Sequence, residues 1–124
     1  MRIFETRLFA KFARRERIGD ASLSEADERA GRGLVDADLG GGVIKQRLAR
    51  QGQGRSGGYR TLIAYRSDDF AVFLFGFAKT DRDNIDDREL AELREASASW
   101  LVADARMIGL ALAKGLLIEV ENDG

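Results

Sequence analysis

The apolar residues at the start of the chain first alternate and then recur at helical spacing. Residues 2–6, RIFET, have the alternation of a short strand, which we expect at an edge of the sheet. Over residues 7–19 the apolar side chains fall on one helical face, with Thr6 placed to cap its start and Gly19 to end it. The pattern therefore predicts a strand that leads directly into an amphipathic helix.

A second helix is predicted to follow the first after a short break. Ser22 and Glu25 have the spacing of a capping box, and the helical pattern weakens at Gly31 and Gly33. The next segment, VDADLGGG at residues 35–42, is predicted to be a loop because it is rich in glycine and aspartate.

From residue 43 the hydrophobic period changes from that of a helix to that of strands. Residues 43–49 alternate, residues 59–66 are rich in β-forming residues, and residues 70–78 are apolar on both faces, as a strand covered on both sides should be. A glycine-rich connection at 50–58 and a tight SDD connection at 67–69 separate them. This predicts a three-stranded antiparallel meander.

The remainder of the chain has helical spacing again. Asp86 or Asp87 can cap one helix, a last helix ends at Gly115, and the LLIEV segment at 116–120 is compatible with a closing strand. The predicted order is β-α-α-β-β-β-α-α-β, with an antiparallel central sheet, two N-terminal helices and C-terminal helices. We therefore expect a single α+β domain over residues 1–124, with a helical C-terminal extension over about 86–115.

Composition narrows the chemistry that this domain can perform. The chain has 124 residues with no cysteine and no histidine, which excludes disulfides and every nucleophilic triad that needs a histidine base. No apolar run reaches the length of a membrane span. We expect a cytoplasmic protein with no bound metal, no cofactor and no membrane partner.

The charges are distributed unevenly along the chain. Residues 39–80 carry seven basic and two acidic side chains, whereas residues 81–124 carry five basic and eleven acidic ones. A cationic middle indicates a polyanionic partner such as RNA. The acidic side chains of the last third are expected on helix surfaces that point away from the cationic face.

Three cations of the middle segment are predicted to share one sheet face. Lys45 and Arg47 lie two apart on a strand and so project from the same face, and Arg60 lies on the neighbouring strand. Arginine and lysine together are suited to holding phosphates. The alternative, a solvated sheet face with scattered cations, remains open from the pattern alone.

Two further cations are expected to converge on the same site. Lys79 ends the third strand of the meander, on the face that we assign to Phe73, Phe75 and Phe77, and Arg82 follows in the loop.

Two blocks of the chain resemble a known family. The segment GLVDADLGGGVIKQRLARQGQGRSGGYRTLIAYR and the later FLFGFAKTDRDNI are similar to the RelE/HigB-type toxins of bacterial type II toxin–antitoxin systems, in particular a phage-like branch. The likeness extends over roughly residues 1–120. It implies a RelE-like, microbial-ribonuclease-type fold, ribosome-dependent cleavage of mRNA, and an antitoxin partner, expected to be of the helix-turn-helix type.

The resemblance also assigns candidate catalytic residues. Lys45 and Arg47 match the family's Lys-x-Lys strand pair, Arg60 matches the arginine of its Gly-Tyr-Arg strand, and Lys79 matches the lysine that closes its last central strand. Thr80 stands where the family often has a catalytic arginine, so the corresponding role passes to Arg82.

The chemistry expected from these residues is that of an endoribonuclease, an mRNA interferase that leaves a 2′,3′-cyclic phosphate. Crowding of positive charges makes Lys45 the candidate base, Arg60 would neutralise the phosphorane, and Lys79 or Arg82 would assist the departing 5′-oxygen. Candidate RNA-binding residues are Arg50, Arg55 and Tyr59. Tyr59 is a candidate either for stacking on a base or for core packing.

Two other functions remain open at this level. One is a non-enzymatic toxin on the same fold that resembles ParE and poisons DNA gyrase. The other is a degenerate module that binds an antitoxin or a nucleic acid without cutting it.

Overall fold

The fold is α+β, with helices on both sides of a six-stranded sheet. The computed structural model describes residues 1–50, 54–66 and 69–121. In these ranges the elements, in chain order, are β1 (Arg2–Thr6), α1 (Arg7–Glu16), α2 (Asp20–Gly31), β2 (Ala37–Asp38), β3 (Val43–Arg50), β4 (Gly54–Arg66), β5 (Phe70–Ala78), α3 (Asp87–Leu101), α4 (Ala105–Ala113) and β6 (Leu117–Glu119).

The strands are ordered β2-β3-β4-β5-β1-β6. The meander β3-β4-β5 is antiparallel throughout, as predicted, whereas β1 runs parallel to β5. The prediction that β1 is an edge strand is wrong, because β6 pairs with its other side. The predicted loop at 35–42 contains the short strand β2, which pairs with Ile44 and Lys45 of β3.

Helix ends follow capping chemistry, with two departures from the prediction. Thr6 caps α1 as expected, but α1 ends at Glu16 because Arg17 adopts a left-handed conformation, two residues before Gly19. Gly19 is the N-cap of α2, so the capping box predicted from Ser22 is wrong. Helix α2 starts at Asp20, before Ser22, because α1 ends at Glu16 and Gly19 then takes the N-cap position.

The C-terminal helices begin at carboxylates. The Asp86 side chain accepts a hydrogen bond from the Glu89 N–H and Glu89 reciprocates, which completes a capping box at the start of α3. Asp104 caps α4 in the simpler way, by accepting from the Met107 N–H.

Strand β5 is covered on both faces, as its apolar sequence predicts. On one face Phe73 packs against Phe9 of α1, with ring centroids 5.1 Å apart. On the other, Phe75 and Phe77 lie 6.3 Å apart and pack near Leu93 of α3.

The assignment of Phe73 to the same face as Phe75 and Phe77 is therefore wrong. The register between β4 and β5 shifts between Leu62 and Ile63, so that one extra residue of β5 is accommodated. Because side chains alternate across a strand, an inserted residue reverses the faces on either side of it.

In residues 1–50, 54–66 and 69–121, no single helix is long and apolar enough to cross a membrane. Helices α3 and α4 reach the required length and composition only as a pair with a bend of 114°.

Candidate active site

Three cations occupy one face in the middle of the β3–β4 ladder. Arg47 lies directly opposite Arg60, which in turn lies opposite Phe77 of β5, and Lys45 lies opposite Leu62. By strand alternation the three cations continue the row of the apolar cluster that contains Leu62 and Phe77. We call Lys45, Arg47 and Arg60 the basic cluster. The pairing of β3 with β4 places these three side chains on one face, as the strand pattern predicts.

Arg60 is the most buried member of the basic cluster, with 7% of its surface exposed. Its Nη1 lies 3.5 Å from the Tyr59 carbonyl oxygen. Burial, and then the positive charge of Arg47, lower the pKa of Arg60, while Asp36 acts in the opposite direction. A partly desolvated guanidinium beside a second one is an arrangement that an anion stabilises.

The backbone of Arg47 is held on both sides by side chains that the sequence does not single out. Asp36 Oδ2 accepts a hydrogen bond of 2.7 Å from the Arg47 N–H, and Arg29 Nη2 donates one of 2.6 Å to the Arg47 carbonyl oxygen. Arg29 is buried and also contacts Asp36 at 3.6 Å and Glu25 at 2.5 Å. In the sequence, this role of Arg29 is indicated by its position as a charged residue on the apolar face of α2.

Gln46, between Lys45 and Arg47, anchors the same segment from the opposite face. It is completely buried, accepts from the Asp36 N–H at 2.8 Å, and donates to the carbonyl oxygens of Ala26 and Leu34. The strand that carries Lys45 and Arg47 is therefore attached to α2 and to the segment that follows it.

Lys79 and Arg82 follow the end of β5, and both are paired with carboxylates. Lys79 Nζ contacts Asp83 at 3.0 Å. Arg82 forms two hydrogen bonds with Glu89, one of them 3.0 Å long, and its guanidinium lies 5.4 Å from the centre of the Phe77 ring. Because Phe77 lies opposite Arg60, Arg82 is on the side of the basic cluster.

The Arg82–Glu89 pair shifts both groups toward their charged forms. The hydrogen bond from Arg82 lowers the pKa of Glu89, and the hydrogen bond to Glu89 raises the pKa of Arg82. Glu89 lies on α3, which packs through Leu93 on the same sheet face as the basic cluster. The expectation that the C-terminal acidic residues point away from this face is wrong for Glu89.

Two of the three candidate RNA-binding residues lie away from the basic cluster. The Tyr59 ring is 5% exposed, packs edge-on against Phe12 at 5.7 Å, and points to the α1 side of the sheet. Arg50 lies 5.6 Å from the centre of that ring and donates to Thr80 Oγ1 at 3.4 Å. Tyr59 packs in the core, and no base can stack on it in this conformation. The side chain of Arg55 lies outside the described residues.

The cationic site contains no metal-binding arrangement. Among the residues that the structure describes, no group of three or more acidic side chains is placed to hold a metal ion.

Comparison with known proteins assigns the family. A search of the curated proteins finds no match. A model of the family described as the RelE toxin of the RelE/RelB toxin–antitoxin system matches residues 1–120. The match spans nearly the whole chain, including all six strands and the basic cluster. The chain is therefore a member of the RelE toxin family, a toxin of a toxin–antitoxin pair whose partner is an antitoxin.

Proposed function

We propose that this RelE-family toxin is a ribosome-dependent mRNA endonuclease that inhibits translation until its antitoxin binds. The observation that carries the proposal is the directly opposed pair of Arg47 and Arg60, with Lys45 on the same face. Two guanidinium groups provide the hydrogen-bond donors that a phosphodiester, and above all its dianionic transition state, requires, and Lys45 beside them acts as the base in its neutral amine form.

The reaction needs no group beyond those of the chain and the RNA. The 2′-hydroxyl loses its proton to Lys45 and attacks the adjacent phosphorus in line, which forms the 2′-oxygen–phosphorus bond. Arg60 donates hydrogen bonds to the phosphorane oxygens. The bond from phosphorus to the 5′-oxygen then breaks, and that oxygen takes a proton from Lys79 while Arg82 stabilises its charge. The products are a 2′,3′-cyclic phosphate and a 5′-hydroxyl.

The pairing of Lys79 and Arg82 with carboxylates supports a dependence on the ribosome. Lys79 and Arg82 each have a carboxylate partner, Asp83 and Glu89, that a phosphate must replace. Free RNA gains little from this exchange and is not held in an in-line geometry, whereas the ribosome presents an aligned mRNA strand. Because ribosomes and mRNA are the substrate, we place the toxin in the cytoplasm, with a helix-turn-helix antitoxin as its partner.

The test is to incubate the purified protein with one mRNA, with and without ribosomes, at low and high salt. We expect cleavage only with ribosomes, and weak binding to naked RNA that salt weakens further. Rapid cutting of naked RNA would show that the basic cluster aligns the substrate without help.

The competing ParE-like function has a different signature in cells. Mapping of 5′ ends after induction should place cuts within translated frames. Intact mRNA together with accumulated gyrase–DNA cleavage complexes would assign the toxin to gyrase and overturn the proposal.

A further inference from the structure

A second basic surface lies on the other face of the sheet. It is a groove of about 470 Å³ between the end of α1, the end of β3 and Tyr59 of β4. Its charged lining residues are Arg15, Glu16, Arg17 and Arg50, and Tyr59 lies beside Arg50. The guanidinium groups outnumber the single carboxylate, so the groove is cationic.

The arginines of this groove have few ionic partners. Arg15 contacts Glu16 at 3.4 Å with a side chain that is 70% exposed. The Arg50 side chain donates to the Thr80 hydroxyl and lies over the Tyr59 ring, and neither Arg50 nor Arg17 forms an ion pair with any described residue. Guanidinium groups that no carboxylate neutralises are available to an anion.

Arg17 occupies a backbone position that favours glycine. Its φ is 57°, the left-handed conformation that ends α1, and the Ile18 N–H donates to the Ala13 carbonyl oxygen at 2.8 Å, as in a Schellman motif. An L-residue is strained there whereas glycine is not. An arginine does not stabilise the backbone in this conformation. We therefore attribute its presence to an interaction of its side chain.

The groove and the basic cluster are connected around one edge of the sheet. The paired residues of β2 reach only to Lys45, and the Arg47 backbone is bonded to Asp36 and Arg29, so in the described chain no strand pairs with the outer edge of β3 beyond Arg47. Arg47 lies on one face, and Arg50, three residues further and about 10 Å along the strand, lines the groove on the other. An extended strand of RNA can pass from one face to the other over this edge.

We propose that the groove formed by Arg15, Arg17 and Arg50 binds backbone phosphates of the RNA strand that reaches the basic cluster. The inference rests on the proposed function, since it extends the substrate path of the same enzyme. Planar guanidinium forks match phosphate oxygens, and three of the side chains that line the groove are arginines. The groove adds affinity without sequence preference, because phosphate contacts carry none.

The test uses Arg17→Gly, because this change removes the side chain and relieves the backbone strain. Binding of a short fluorescein-labelled single-stranded RNA is measured by anisotropy over a series of KCl concentrations, and stability by urea unfolding. We expect the affinity at low salt to fall about threefold to tenfold and the slope of log K against log salt to become shallower by about 0.7. The urea midpoint should rise at the same time.

Two matched variants separate the charge from the backbone effect. Arg17→Lys retains the charge and the strained backbone, and should bind RNA nearly as the wild type does. Arg106→Ala removes one exposed positive charge on α4, away from the groove, and should leave the salt dependence unchanged. If Arg106→Ala weakens the affinity for RNA as much as Arg17→Gly does, the effect is one of net charge. That result would overturn the proposed site.

The outcomes also distinguish this inference from the proposed function. If Arg17→Gly binds RNA as the wild type does while ribosome-dependent cleavage persists, the groove is not an RNA site and the enzyme assignment stands. If ribosome-dependent cleavage is absent but Arg17→Gly still lowers the affinity for RNA, the groove is an RNA site and the enzyme assignment is wrong. Unchanged RNA binding combined with lost binding of poly-glutamate would assign the groove to an acidic protein and overturn the proposal.

Discussion

Arg47 lies directly opposite Arg60 across the β3–β4 ladder, and no residue separates the two positive side chains along the strands. The charge of Arg47 contributes, after burial, to the lowered pKa of Arg60. Repulsion of this kind disappears when an anion binds between the two groups. The pair is therefore better suited to a bound anion than to an unoccupied surface.

Replacing Arg60 by alanine should abolish most of the activity. On the proposed function the change removes one contact to the phosphorane, so we expect the ribosome-dependent cleavage rate to fall on the order of 10²-fold or more. In cells, induction of Arg60→Ala without antitoxin should no longer arrest growth. Urea unfolding of the purified variant checks that the protein remains folded.

The control for this experiment is Arg106→Ala, which removes an exposed cation on α4. It should remain as toxic as the wild type. Equal toxicity of Arg60→Ala at equal abundance would show that the assignment of the site is wrong.

Arg29 should support the site from a distance. It is buried and holds the Arg47 carbonyl oxygen and the Asp36 carboxylate, so Arg29→Met leaves both without this donor. We expect a loss of about 1–3 kcal/mol in the free energy of unfolding, measured in urea, because the Arg47 carbonyl oxygen loses a charged hydrogen-bond donor and Asp36 loses its ion-pair partner. Cleavage should fall through misplacement of Arg47. The matched change is Arg88→Met, whose exposed pair with Glu92 should matter little.

Neutralising Glu89 should release Arg82. Glutamine retains the capping box of α3 but removes the carboxylate that pairs with Arg82. We expect Glu89→Gln to bind RNA more tightly at low salt, with a salt slope steeper by about 0.7, since one more cation contacts phosphate. Anisotropy titrations measure both quantities.

The exposed Glu92 on α3 provides the comparison for this variant. Glu92→Gln changes the net charge by the same amount, but its partner Arg88 is not at the site. If both variants increase the affinity equally, Arg82 is not released onto RNA and contributes only through net charge.

Local patterns predicted the elements that carry the site. The alternation in β3 places Lys45 and Arg47 on one face without knowledge of any partner, and the capping chemistry at Asp86 is complete within four residues. The family resemblance assigned Arg60 its candidate catalytic role and is consistent with the match over residues 1–120.

Contacts between residues distant in sequence were not predictable. The register shift beside Leu62 reverses the face of Phe73, and nothing in the local pattern marks it. The pairing of Arg82 with Glu89 depends on where the loop before α3 turns. The support of Arg47 by Arg29 depends on how α2 packs on the sheet. Each of these is a property of the assembled tertiary structure rather than of a segment.

The stability of the toxin should depend on pH through Asp27. This residue of α2 is 8% exposed, and its Oδ1 has no hydrogen-bond partner among the described residues. Burial raises the pKa of Asp27 to about 6, an effect that the positive amino terminus only partly opposes. The unfolded chain releases the same proton near pH 3.8.

The sign follows from proton binding. Between about pH 4 and pH 6 the folded state holds a proton that the unfolded state has lost, so the free energy of unfolding falls as pH rises through this window. The total change from Asp27 is on the order of 2–3 kcal/mol and is complete above pH 6. Urea unfolding at a series of pH values should show this decline in the wild type and a flatter dependence in Asp27→Asn.

Burial also raises the pKa of Glu5, so Glu5→Gln is needed to identify any residual slope. A decline that persists unchanged in Asp27→Asn would show that this carboxyl group is solvated in solution.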